Sequence, residues 1–438
     1  MKRFSELRSW LRPEFIRQQL QTSLTLYPAL AVCLAFGLAR ALLFIDHRIP
    51  QDARAWYLFT GEPESARELL STIASSLLTF TALVFFITIL VLQLASSQFS
   101  SRVLRTFLED IMTRLSMAVF VGSFVYAMVL LPEVRAGGPD GWQFVPGLSV
   151  FVAFVLVVVS VVVFVRYINH MAHSIRAVHV LYRVADETRQ SIEEMYPEPV
   201  GVSPGEARGP PEEPPTMTCR QDRPAGVVTA IRYERLMKFA CDADAVIAFS
   251  AQVGDFVPRG APLFLVWSGN EQLSLDELRE TVIIGKKRNP RQDPAFGFRQ
   301  LVDIAERALS PGINDPTTAV QALDYIHDLL RLLAQRQFPS PTRVDSAGRV
   351  RLFLPRPDWN AYVRLALDEI RQYGAKSIQV SRRLRSLLED LESVAPLERR
   401  AELDEQLKLL DEAAVSAFGG GPELRRARTP SVQGQGGE

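Results

Sequence analysis

The sequence predicts an α-helical membrane protein with four transmembrane helices and an α+β cytoplasmic domain. Three observations predict it. Apolar residues crowd into 20–167, while the charges lie mostly after residue 166. Four stretches of the apolar part are uncharged over lengths near the roughly 20 helical residues that a bilayer core requires. The later part alternates strand-like and helix-like apolar patterns. Over all 438 residues, 49 basic side chains balance 49 acidic ones. That balance excludes a strongly basic nucleic-acid binder and an acidic solvating tail, so no nucleic acid is expected as a partner.

The segment 1–22 is expected to lie at the membrane interface. Phe4, Leu7 and Leu11 share a face with Trp10 beside it, and Lys2, Arg3, Arg8 and Arg12 are left for headgroups. With charges continuing through Arg17 and no apolar core after Lys2 and Arg3, no cleavable signal peptide is expected. A four-helix transmembrane domain over 23–167 follows, with spans at about 23–45, 75–97, 115–131 and 145–165. The fourth reads VFVAFVLVVVSVVVFV at its centre. Its length and lack of alternation favour a lipid helix over a strand. Lys and Arg near the span ends set the orientation. Residues 1–22 hold five, 98–114 hold three and 166–189 hold four. The 46–69 loop holds three and the 132–144 loop only Arg135. Both termini are therefore expected on the cytoplasmic side of the membrane. The first loop carries Trp56, Tyr57 and Phe59, which suit the opposite interface.

The second span is rich in hydroxyls. Thr72, Ser75, Ser76 and Thr79 fall at i, i+3, i+4, i+7 and make one polar stripe. Small hydroxyl residues serve close helix packing. They also serve as the lining of a water-filled or ion-conducting path, and these four are the candidate pore-lining residues. Four spans enclose little space, so a path requires a homo-oligomer. Arg40 near the end of the first span is expected to snorkel to the interface.

No Gly or Pro interrupts the chain from the fourth span to Pro197, so that helix is expected to continue as a juxtamembrane helix over 168–196. His170 and His173 share a face there as two metal ligands would. No Cys or nearby acid completes the set, and no metal is expected. Eight prolines mark a linker over 197–224. A small β-rich unit is expected over 225–285. Within it Gly254, Val257, Gly260 and Pro262 resemble the turn of biotinyl- and lipoyl-type carriers. The turn Pro258-Arg259-Gly260 offers no Lys, so a carrier role is unsupported and no cofactor is expected. A mainly helical part over 286–418 comes next, with a short hairpin at 345–348 and two helices at about 358–391 and 397–418. The final 419–438 reads as disordered.

Polar side chains are dense over 292–317. Asp293, Gln300, Asp303, Arg307, Asn314 and Asp315 are the candidate ligand- or ion-sensing residues. The same residues suit capping and ion pairing: Asn314 or Asp315 precedes Pro316 at a helix start. No nucleophile–His–acid set, phosphate loop or dinucleotide fingerprint occurs, so no catalytic residue is assigned.

The stretches SSQFSSRVLRTFLED (96–110), RQDPAFGFRQLVDIAERALSPGINDPTTA (291–319) and IRQYGAKS (370–377) resemble the bacterial predicted membrane proteins of the domain of unknown function 2254. The resemblance implies an integral membrane protein and supplies no activity. Two readings stay open: an oligomeric channel or transport-related protein with a cytoplasmic gating or assembly domain, and a membrane-anchored binding or sensing protein.

Overall fold

A computed structural model describes residues 25–48, 59, 61–98, 110–135, 144–174, 176–200, 209–268 and 273–434. The interfacial segment 1–22, Trp56, Tyr57 and most of the SSQFSSRVLRTFLED stretch lie outside the described residues. The chain divides into two units, Met1–His179 and Val180–Glu438.

The first unit holds four helices, α1 (Leu26–Asp46), α2 (Pro63–Gln98), α3 (Ile111–Leu130) and α4 (Gly147–Ser174). All four are long and apolar enough to cross a membrane. At about 1.5 Å per residue, the 36 residues of α2 run for roughly 54 Å, well past a bilayer core of about 30 Å. Small and aromatic side chains fill the bundle. Ala35, Ala39, Leu70, Leu77, Tyr126 and Ala153 belong to one buried cluster. Val84, Met117, Phe120, Tyr167 and Met171 form another. Spans α1 and α3 meet at Gly122, where a Cβ would stand 3.3 Å from the Ala31 Cβ. Such close backbone approach is how helices gain packing contacts in lipid, where water supplies no drive.

Polar groups fasten the ends of the spans. The buried Asp46 carboxylate of α1 accepts from Leu148 N (3.0 Å), Ser149 N (2.9 Å) and Ser149 Oγ (2.6 Å). It caps the first turn of α4 and faces that helix's positive dipole end. Arg40 is exposed, and its Nη1 reaches Glu133 at 3.0 Å. Asp110 caps α3 by accepting from Thr113 N at 2.9 Å, and its second oxygen meets His170 Nε2 at 2.9 Å.

The expected unbroken continuation of the fourth span is not observed. Helix α4 ends at Ser174, and α5 (Ala177–Met195) starts afresh. Side chains compete for the last carbonyls of α4: Ser174 Oγ donates to His170 O at 2.8 Å, and His173 Nδ1 lies 2.7 Å from Asn169 O. From Val180 onward the helix belongs to the second unit.

That unit builds on a five-stranded sheet in the order β1-β5-β3-β8-β7 and a three-stranded sheet in the order β4-β2-β6. The strands are β1 (Met217–Arg220), β2 (Gly226–Ile231), β3 (Val246–Phe249), β4 (Phe256–Val257), β5 (Pro262–Trp267), β6 (Val282–Gly285), β7 (Thr342–Val344) and β8 (Val350–Phe353). Strand pairing crosses the sequence boundary expected near 286, because β8 joins β3 in parallel. The proline-rich segment is likewise not all linker: β1 pairs with β5, and Trp267 Nε1 donates to Glu213 O at 2.7 Å. Helices α6 (Tyr233–Asp242) and α7 (Leu275–Arg279) accompany the sheets. Val228, Leu236, Ile247, Phe264 and Leu352 lie in their shared core.

The helical layer comprises α8 (Pro294–Leu309), α9 (Pro316–Ala334), α10 (Trp359–Gly374), α11 (Ile378–Val394) and α12 (Leu397–Phe418). The single helix expected over 358–391 is two helices. Ser377 starts the second, its Oγ accepting from Val380 N at 3.4 Å. Helix α5 packs against α8 at Gly297, where a Cβ would stand 1.9 Å from Thr188 Oγ1. Only a residue without a side chain fits there. Tyr196 OH and Tyr362 OH meet at 3.0 Å in the same buried layer. The tail expected to be disordered forms α13 (Pro422–Arg428). Arg382 Nε donates to Arg426 O at 2.6 Å, and Arg428 pairs with Asp411 at 3.0 Å.

Candidate functional site

Two groups of sequence candidates occupy separate units, and the structure gives them opposite surroundings. On α2, Ala66, Leu70, Ile73, Leu77 and Val84 turn into the bundle. Thr72, Ser75, Ser76 and Thr79 are all exposed on the other side. Ser75 Oγ donates to Ser71 O at 2.9 Å and Thr79 Oγ1 to Ser75 O at 3.0 Å. Each such bond satisfies the hydroxyl proton and leaves the oxygen's remaining acceptor capacity pointing outward. Glu64 and Glu68 extend the same exposed line toward the start of the helix, and Phe86 extends it the other way. The acids escaped the sequence reading because they precede the uncharged run. The i, i+4 spacing of Glu64, Glu68 and Thr72 was the signal that could have found them.

In the second unit most of the polar segment serves its own fold. Asp293 is buried, accepts from Phe296 N at 3.0 Å as the cap of α8, and receives Arg288 through Nε (2.7 Å) and Nη2 (2.8 Å). Gln300 and Asp303 are buried, whereas Arg307 is exposed. Asp303 pairs with Arg299 at 3.0 Å, and Arg299 also meets Glu369. Asn314 is exposed with φ +50°. Asp315 is the cap of α9, accepting from Thr318 N at 3.1 Å and Thr318 Oγ1 at 2.6 Å.

Sequence reasoning missed two clusters. The first joins α9 to α11. Arg383 is buried; its Nε donates to Asp324 at 2.7 Å and its Nη2 to His327 Nδ1 at 3.0 Å. Because an arginine only donates, His327 Nδ1 accepts, and Nε2–H donates to Asp390 at 2.8 Å. Burial, and then the Arg383 charge, hold the His327 imidazole below its ordinary value. The ring is therefore a neutral bridge between cation and carboxylate. Partners 56 to 63 residues apart left no local motif. The second cluster places Arg356 over the Tyr233 ring at 5.3 Å, beside Arg343 on β7. Among the described residues no three His, Cys, Asp or Glu side chains group to hold a metal ion. Cys219 is buried, and desolvation pushes its thiol up to about 11, far from a reactive thiolate.

Four apolar spans followed by an α+β unit define an integral membrane protein of the helical class. The comparisons place it further. The chain belongs to the family described as predicted membrane protein (DUF2254), whose model matches residues 21–390. It is 31% identical over 372 residues to the uncharacterized protein Rv1290c of Mycobacterium tuberculosis, covering 82% of this chain and 70% of that one. The uncharacterized protein Mb1321c of Mycobacterium bovis is similar to the same extent. No solved structure matches the chain.

Proposed function

We propose that this protein is an oligomeric, transport-related protein of the bacterial plasma membrane, with both termini and the second unit in the cytoplasm. In this reading the exposed face of α2 lines a path shared between copies, and the second unit assembles or gates it. One observation carries the reading: the hydroxyl stripe lies on the outside of its own bundle. One face of α2, with Ala66, Leu70, Ile73, Leu77 and Val84, packs into the bundle, and the hydroxyls remain on the outer face beside lipid-facing side chains such as Leu78 and Phe85. Glu64 and Glu68 at one end of the stripe favour cations, and Phe86 supplies the apolar constriction at which such paths close. The orientation follows from the excess of Lys and Arg flanking the even-numbered loops and the amino terminus.

The test is K+ flux from liposomes containing the full chain. Flux that falls on Thr79→Leu, and that loses preference over Cl− on Glu68→Gln, supports the reading. Equal flux with and without protein removes it. The alternative, a membrane-anchored binding or sensing protein, is favoured by a different observation, the arginine-lined groove of the second unit.

A further inference from the structure

We propose that the groove between α6 and the β7–β8 hairpin binds a phosphate group carried on a small organic body. The groove has a volume of about 530 Å3 and is lined by Tyr233, Glu234, Met237, Lys238, Arg343 and Leu352. Arg356 covers the Tyr233 ring from the adjoining side, its guanidinium carbon 5.3 Å from the ring centre. Two cations, Lys238 and Arg343, line the groove with one acid, Glu234, and Arg356 adjoins it across the Tyr233 ring. Cations clustered this way in a folded unit usually face carboxylates, as Arg351 faces Asp244 and Asp345 here. Neither Arg343 nor Arg356 forms an ion pair with a carboxylate among the described residues, although Glu234 lines the groove and Asp358 lies near Arg356. The Arg356 Nε is buried and has no hydrogen-bond partner. An unmet buried donor costs about 1–3 kcal/mol, more for a charged group, so folds keep few of them.

The two guanidinia also act on each other. Burial, then the nearby Arg356 charge, bring the Arg343 guanidinium below its ordinary value. An anion between them would relieve that repulsion. Guanidinium forks match phosphate oxygens two at a time, which favours phosphate over a lone carboxylate. Met237, Leu352 and the Tyr233 ring offer an apolar wall, suited to a body with an aromatic or acyl portion. A soluble nucleotide and an anionic phospholipid headgroup share this chemistry. The inference holds whether or not the spans conduct.

The experiment titrates the full chain in detergent with a fluorescent adenine nucleotide. Competitors are AMP, pyrophosphate, adenosine and dioctanoyl phosphatidic acid. The expected result is saturable, salt-sensitive binding that adenosine does not displace. Arg343→Gln, on edge strand β7, weakens it at least about tenfold, and Arg356→Gln does the same. If Arg356→Gln fails to fold, Arg343→Gln alone carries the test, with circular dichroism confirming its fold. Displacement by AMP assigns a soluble ligand. Direct binding of phosphatidic acid without nucleotide binding, lost on Arg343→Gln, assigns a lipid headgroup. No saturable binding of either phosphorylated probe, or binding that Arg343→Gln leaves unchanged, overturns the proposal.

Discussion

Along α2, Thr72, Ser75, Ser76 and Thr79 face away from their own bundle, whereas Asp293, Gln300 and Asp303 of the later segment turn into theirs. Both segments stood out in the sequence for the same reason, a density of polar side chains. Three of the later residues have partners within the fold. Asp293 and Asp315 begin helices, and Asp303 neutralises Arg299. The four stripe hydroxyls of α2 are exposed among the described residues, unlike Thr88, which meets Tyr167 OH at 2.8 Å inside the bundle. Polar density in a sequence therefore marks a demand for partners. Where the partners come from decides between scaffold and site.

That contrast breaks first at the point where α5 meets α8. Gly297→Val should destabilise the protein by about 3 kcal/mol in denaturant unfolding, because its side chain would occupy the space of Thr188. Thr188→Ala should recover part of the loss, and a fully additive pair would refute the contact. Next comes Asp293→Asn, which strands a partly buried Arg288 and should cost about 2 kcal/mol by the same measurement. A neutral result would mean that Asp293 is held for a ligand and not for the fold.

The α9–α11 network gives a smaller, pH-dependent effect. His327 is held neutral, with its folded value below the ordinary 6.5. Below 6.5 the unfolded chain binds the proton more readily, so stability is full above that pH and declines as pH falls toward the folded value. His327→Gln should flatten the dependence of melting temperature on pH below 6.5; an unchanged slope would assign it to other groups. The smallest effect on stability belongs to Thr79→Leu, within about 0.5 kcal/mol, since the side chain is exposed and, among the described residues, its hydroxyl bonds only the Ser75 carbonyl one turn back. A large loss would place α2's outer face inside the fold.

The spans were legible because lipid imposes length and lack of charge on a contiguous stretch. Helix starts were legible where Asp315 precedes Pro316, since capping is a local matter. Pairings between distant segments were not. Strand β8 beside β3, Asp46 over the first turn of α4, and Arg383 on His327 each join residues far apart in the chain. The break after Ser174 also escaped notice, because no Gly or Pro announces it. Of the candidate sites, the hydroxyl stripe could be read from its helical period. The arginine groove could not, because Tyr233, Arg343 and Arg356 come together only when the β7–β8 hairpin joins the sheet.

The most direct test of the central claim is the native mass of the full chain released from nanodiscs. A shared path predicts one closed oligomer, whose mass falls when Thr72, Ser75 and Thr79 are replaced together by Leu. A clean monomer for the wild-type chain would contradict it, since the stripe of Thr72, Ser75, Ser76 and Thr79 lies on the outside of its own bundle and a single copy gives it no second wall.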